Sequence, residues 1–153
     1  MRSTSPNLIL VIDDNPDDFF TVERELAKAG LANPLLHCKS GEDGLDFLHA
    51  RNRYAQMQPP LPAFVLLDVN MPKMLGTEVL AVIRGDPLTV QLPVIMLTSS
   101  GDERDVAASF QGKANAYVTK PIEFDALMRA VLRIKSHKVE LSISAKGAAS
   151  HPG

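Results

Sequence analysis

Apolar residues in this chain fall into short blocks. "LILVI" (8–12), "PLLHC" (34–38), "AFVLL" (63–67), "PVIMLT" (93–98) and "AYVT" (116–119) are separated by stretches in which apolar positions recur every three or four residues. Blocks this short and this uniformly apolar predict strands covered on both faces, as in a parallel sheet. "PLLHC" is the weakest of them and is expected at an edge. The first intervening helix is bounded by Asn15 as N-cap, Pro16 at its first position and Gly30 past its end. Phe19, Val22, Leu26 and Ala29 share one face of it. A second helix starts near Ser40 and carries Leu45 and Leu48. A third runs from about 77 to 84, with Val79, Leu80 and Ile83 inward, and stops before Asp86-Pro87. A fourth is predicted over roughly 102–111. A fifth begins after Pro121, with Phe124, Leu127, Met128, Val131 and Leu132 as its apolar stripe.

Strand and helix thus alternate five times, which predicts an α/β fold: a doubly wound, five-stranded parallel sheet with helices on both faces. Such sheets place their sites outside the carboxyl ends of the strands. The residues at those ends are chemically suggestive. The first strand ends in Asp13-Asp14, the third in Asp68, the fourth in Thr98 and the fifth in Lys120-Pro121. Three carboxylates gathered at one rim repel one another and need compensating charge. A divalent, oxygen-seeking cation such as Mg²⁺ supplies it, and Lys120 adds another positive group. A cis bond between Lys120 and Pro121 would aim the lysine back at the rim.

"DDNPDD" (13–18) divides into two pairs. Asp13 and Asp14 are assigned to the shared site. Asp17 and Asp18 fall in the first turn of the helix capped by Asn15, where the helix dipole favours each by roughly 0.3–1 kcal/mol. Asp68 follows a run of four apolar residues, a costly place for a carboxylate unless it is paired or binds a metal.

Composition narrows the field. With 153 residues, 45% of them apolar, the chain can bury a full core as one domain. The formal net charge of −2 provides no general attraction for nucleic acid or anionic membranes. The single cysteine, Cys38, excludes an internal disulfide and any multi-cysteine zinc site, and its apolar setting marks it as a buried hydrophobe. No apolar run approaches the roughly 20 residues of a membrane span, and "MRSTSPN" lacks the apolar core of a signal peptide, so a cytoplasmic protein is expected.

"VIDDNPDD", "VLLDVNMPKMLG", "PVIMLTSS" and "ANAYVTKP", in this order, resemble the receiver domain of two-component response regulators. Thr98 follows Asp68 by 30 positions and Lys120 follows Thr98 by 22, as that pattern requires. The resemblance covers about 8–134 and implies a flavodoxin-like (βα)5 domain over 1–138, with strand order 2-1-3-4-5 and a C-terminal tail over 139–153. It implies that Asp68 accepts a phosphoryl group from a sensor histidine kinase. Asp13, Asp14 and Asp68, with the backbone carbonyl of Asn70, would hold Mg²⁺. Thr98 would bind the phosphoryl group, Lys120 would pair with it, and Tyr117 would turn inward as the aromatic switch. "DNPDD", the long segment 49–62 and "ANAYVTKP" together resemble single-domain regulators partnered with bacterial phytochrome kinases. The competing reading of 49–62 is a tolerated surface insertion.

Two positions depart from the family pattern. Leu75 stands where an aspartate is usual, which implies altered helix capping. Lys113 stands where glycine is usual; a left-handed backbone there would cost about 1 kcal/mol relative to glycine, and Gly112 is the alternative site for that turn. Two rival functions on similar folds are disfavoured. An aspartyl-phosphate phosphatase of the haloacid dehalogenase type wants a second aspartate where this chain has Asn70. A flavin carrier wants a glycine- and hydroxyl-rich phosphate loop where this chain has "DDNPDD". A chain that ends soon after Lys138 leaves no room for a DNA-binding output domain, so no direct contact with nucleic acid is expected. Of the adjacent Phe19 and Phe20, about 100° apart on a helix, Phe19 fits the inward stripe. Phe20 is either a kinase-docking residue or a partly buried aromatic under a neighbouring loop. The resemblance further implies a homodimer through the helices at 102–111 and after Pro121. The tail, where Val139, Leu141 and Ile143 alternate with polar residues, is either an arm strengthening that dimer or disordered.

Overall fold

The computed structural model describes residues 8–99 and 113–135. Five parallel strands, β1 (Ile9–Ile12), β2 (Leu35–Cys38), β3 (Phe64–Asp68), β4 (Val94–Thr98) and β5 (Ala116–Thr119), form one sheet in the order β2-β1-β3-β4-β5. Four helices are described: α1 (Pro16–Lys28), α2 (Gly41–Leu48), α3 (Gly76–Gly85) and α4 (Phe124–Lys135). A single 3₁₀ turn, Asn52–Tyr54, lies between α2 and β3. The helix predicted over 102–111, the continuation of the last helix to Lys138 and the tail 139–153 lie outside the described residues. The dimer interface expected through the predicted helix 102–111 and the last helix therefore falls partly outside them. None of the described helices is long and apolar enough to cross a membrane.

Alternate strand residues feed two cores. Leu10, Ile12, Val65, Leu67, Val94 and Met96 pack on the side of α2 and α3. Ile9, Val11, Phe64, Leu66, Ile95 and Leu97 pack with Val22 and Leu26 of α1 and with the inner face of α4. β1, β3 and β4 are buried throughout, which explains their unbroken apolar runs, whereas edge strand β2 is only partly buried until Cys38. On α4 the buried stripe is Leu127, Ala130, Val131 and Ile134, not Leu132, which is 63% exposed. A stripe at i, i+3, i+4 and i+7 holds one helical face, and Leu132 falls a full 100° beyond Val131.

The ends of α1 are as the sequence predicts. The Asn15 side chain accepts the Asp17 N–H at 2.9 Å, and Gly30 takes the left-handed backbone (φ 79°) that ends the helix. At α3, Leu75 offers no side-chain acceptor, so half a capping box remains: Glu78 accepts the Leu75 N–H at 3.0 Å.

The segment 49–62 is built into the domain. Tyr54 is buried in the core, and its ring meets Phe47 edge-on at 5.3 Å. Its hydroxyl donates to Asp43 at 3.1 Å, while Arg53 grips the same carboxylate with Nε at 2.9 Å and a second nitrogen at 2.6 Å. The Arg53 hydrogen bonds hold the Asp43 carboxyl below its usual range. Cys38 is buried, as expected, 3.6 Å from the Tyr54 hydroxyl, and burial pushes its thiol up to about 12.

At the amino ends of the strands, Arg84 ties three segments together. It donates to Lys113 O (3.0 Å), Leu92 O (2.7 Å) and Asn115 Oδ1 (2.9 Å). Asn115 in turn accepts the Val94 N–H at 2.8 Å. The left-handed turn falls on Lys113 itself (φ 65°), whose carbonyl Arg84 holds. A hydrogen bond to a charged group contributes roughly 1.5–3 kcal/mol net, and the bonds of one partly exposed side chain do not simply add. Arg84→Met is therefore expected to lower Tm by roughly 5–10 °C, about 2–3 kcal/mol, in a thermal melt. Because Arg84 sits at the opposite end of the sheet from the acidic rim, cation binding should be unchanged; an unaltered Tm would show that the fork does not brace the fold.

Candidate functional site

The sheet ladder continues past the strand ends into the residues that carry chemistry. The Asp13 N–H donates to Cys38 O (3.0 Å), Val69 N–H to Leu97 O (2.8 Å) and Lys120 N–H to Thr98 O (2.6 Å). Ile12 pairs with Leu67, so Asp13 and Asp68 stand side by side at the rim. Asp68 pairs with Leu97 and Thr98 with Thr119, which steps Thr98 and then Lys120 upward around the same cleft. Asp13, Asp68 and Thr98 are buried; Asp14 is exposed. One carboxylate oxygen from each of Asp13, Asp14 and Asp68 lies within 4.8 Å of the others. The peptide bond between Lys120 and Pro121 is cis.

Backbone groups orient the two buried acids. The Asn15 N–H donates to Asp13 Oδ1 at 2.9 Å and the Asn70 N–H to Asp68 Oδ1 at 3.2 Å. The Asn70 side chain donates to Ser99 Oγ at 3.1 Å, linking the ends of β3 and β4. Gly76 packs on the loop after β3; a Cβ there would meet the Asp68 carbonyl oxygen and come within 2.8 Å of Val69 Cα. Only glycine fits without moving the Asp68 backbone.

Two participants were not legible as such. His37 Nε2 lies 2.7 Å from the Asp13 carbonyl oxygen, so this nitrogen carries the proton it donates, and the ring stacks on Phe19 at 4.5 Å. Asp18, assigned from sequence to the helix dipole, is the nearest partner of Lys120: Nζ donates to Asp18 Oδ2 at 2.6 Å, and lies 3.2 Å from both Asp13 and Asp68. Asp17 and Asp18 both lie in the first turn of α1, as expected, but the division of "DDNPDD" into a site pair and a helix pair fails at Asp18, which belongs to both. At 100° per residue, Asp17 and Asp18 cannot face the same way, and only Asp18 turns to the rim. Tyr117 is 42% exposed on β5. Phe20 is 61% exposed, which removes the reading that a neighbouring loop covers it, and Phe19 is half-buried.

The electrostatics follow from one ammonium among several carboxylates. Burial pushes the Asp13 carboxyl up to about 7, with the Asn15 N–H opposing and the Asp68 charge adding to the rise. Burial likewise raises Asp68, against the pull of Lys120. Burial alone would depress Lys120, but the Asp18 hydrogen bond and the charges of Asp13 and Asp68 hold its ammonium above the ordinary range. Asp13 Oδ2 is buried and accepts no well-directed hydrogen bond. A buried carboxylate oxygen that accepts no hydrogen bond and meets the Lys120 ammonium at 3.2 Å, among three carboxylates with excess negative charge, fits a hard divalent cation.

A doubly wound sheet with an acidic rim, a strand-end aspartate and a facing lysine defines a receiver domain, and the chain belongs to the response regulator receiver domain family, which matches residues 9–132. It is 34% identical over 139 residues to the response regulator Rcp1 of Synechocystis sp. (strain ATCC 27184 / PCC 6803 / Kazusa), covering 91% of this chain and 93% of that protein. Among solved structures, the bacteriophytochrome response regulator AtBRR superposes with a TM-score of 0.80 at 34% identity, covering 92% of this chain and 99% of that one. The Mn²⁺-bound form of Rcp1 superposes with a TM-score of 0.72 at 33% identity, covering 92% and 100%. The fold and strand order predicted from sequence are those observed.

The raised Asp13 value has a testable consequence. A carboxyl with a pKa near 7 in the folded state and about 3.9 when unfolded holds its proton more tightly when folded. Stability without metal should therefore fall as pH rises from about 4 to about 7. A divalent cation must displace that proton, so its binding should tighten over the same window. Urea midpoints at pH 4.5, 6 and 7.5, with and without Mn²⁺, would check this. A metal-free midpoint that rises across the window would contradict the assignment.

Proposed function

We propose that this chain is the phosphoryl-accepting partner of a sensor histidine kinase. The observation that carries this reading is the placement of Asp68: a buried carboxylate at a strand end, beside Asp13 and 3.2 Å from the Lys120 ammonium. Asp68 attacks the phosphorus of a phosphohistidine. The P–N bond breaks, a P–O bond to the Asp68 carboxylate forms, and the imidazole departs with the P–N electron pair. Asp13, Asp14, Asp68 and the Asn70 carbonyl would hold Mg²⁺, which when bound neutralises charge on the phosphoryl oxygens.

The chain's own groups supply the remainder. The ladder at Val69 and the Asn70 N–H fix the attacking carboxylate, so little reorganisation precedes transfer. Lys120 pairs with a phosphoryl oxygen, and the Thr98 hydroxyl donates to another. Thr98 is drawn towards the site, and the exposed Tyr117 ring turns inward into the space released. This is a population shift towards the state that contacts the phosphoryl group better.

The likeness to Rcp1 and to a bacteriophytochrome response regulator supports a bacterial phytochrome kinase as donor. Phe20, exposed one turn into α1 and next to the rim, is proposed to dock on the kinase. A homodimer that includes the outer face of α4 belongs to the same reading and rests on the family resemblance.

Incubation with a small-molecule phosphodonor should add one phosphoryl mass in the presence of Mg²⁺, and none with EDTA or in Asp68→Asn. Uptake that persists in Asp68→Asn would remove the assignment. For docking, Phe20→Ala should slow transfer from the cognate kinase at least fivefold while leaving uptake from the small donor intact. Equal rates from the kinase would sink the role of Phe20.

A further inference from the structure

The shortest contact of Lys120 is made to a residue that the transfer step does not use. Asp18 Oδ2 accepts from Nζ at 2.6 Å, against 3.2 Å to Asp13 and Asp68. Asp18 sits in the first turn of α1, and two hydrogen bonds tie that turn to the rim: Asn15 caps the helix through Asp17 N–H, and the Asn15 N–H holds Asp13 Oδ1. Asp18 is thus carried at a set distance from the acidic cradle without being part of it.

We propose that Asp18 is a positioning residue that retains the Lys120 ammonium beside the cradle, so that a divalent cation can take Asp13 and Asp68 without leaving a half-buried lysine unpaired. This rests on reading Asp13, Asp14 and Asp68 as a cation site. Lys120 and an incoming cation compete for the same two carboxylates. If those were its sole anionic partners, each binding event would part a half-buried ammonium from all of its countercharge, and a desolvated charge left unpaired is destabilising. The third carboxylate, Asp18, lies outside that cluster of acids and gives the ammonium a partner throughout. It also keeps Lys120 within reach of an arriving phosphoryl group.

Removal of any carboxylate near a cation weakens binding through Coulomb attraction alone. The two effects separate in a double-mutant cycle. If Asp18 acts through Lys120, Asp18→Asn should weaken Mn²⁺ binding about tenfold in the otherwise native chain and less than twofold in a Lys120→Met background. A purely direct attraction predicts an equal loss in both. Free Mn²⁺ can be read by electron paramagnetic resonance on full-length protein, with matching circular dichroism spectra to establish folding and Asp18→Ser as a second variant. No loss on removing Asp18, or equal loss in both backgrounds, overturns the inference. Asp13→Asn serves as the control for the underlying reading. If native protein binds Mn²⁺ and Asp13→Asn abolishes it, the cation site stands whatever Asp18 does. If native protein fails to bind Mn²⁺, the cation-site reading fails and this inference with it.

Discussion

One ammonium shared among three carboxylates governs the working end of this domain. Lys120 lies within 3.2 Å of Asp13, Asp18 and Asp68, and Asp14 brings a further negative charge to the same cleft. Left to themselves these acids would repel one another and seek water. They stay because each is fixed by backbone that has little freedom: strand ladders behind Asp13, Asp68 and Lys120, and a capped helix behind Asp18. The sheet therefore does more than support the site; its register holds like charges together that would otherwise separate, and the resulting surplus of negative charge is what makes a cation welcome.

The opposite end of the sheet solves a different problem. There the chain enters β4 and β5, and unpaired carbonyls would be left at the amino ends of both strands. Arg84 gathers them with its planar fork, and Asn115 completes the connection to Val94. Its charge is partly desolvated, and burial holds the guanidinium below its usual range. The two ends thus use buried cations differently. Lys120 is a compact point charge among acids, whereas Arg84 is a planar brace on neutral carbonyls.

Much of this could be read from the residues. Unbroken apolar runs marked the central strands, and Asn15-Pro16 and Gly30 marked both ends of α1. Polar residues at successive strand ends assembled the cleft because parallel topology places those ends together. What escaped depended on direction. Asp17 and Asp18 are chemically identical neighbours, and only the rotation of α1 tells which one faces Lys120. His37 sits in the weakest apolar run, where its Phe19 stack and its bond to the Asp13 carbonyl arise from elements far apart in sequence. Leu132 is apolar like the inward stripe, but the helical rotation gives the buried face to Ala130 and Ile134 instead. Lys113 takes a turn that local preference would give to glycine, and Arg84 of α3 secures its carbonyl there.

The strand order places one connection under a burden that the others escape. Between β2 and β3 the chain must pass over β1, so the linker following α2 spans the widest gap in the sheet. A loose connection across residues 49–63 would surrender much conformational entropy on closing. With Tyr54 seated in the core and Arg53 clamped to Asp43, it becomes two short loops, the longer covering residues 55–63. Closure entropy grows only logarithmically with length, and each piece closes against an anchor already in place. Extra chain at this crossing thus imposes little entropic load, and the length added there leaves the alignment of Asp13 beside Asp68 undisturbed.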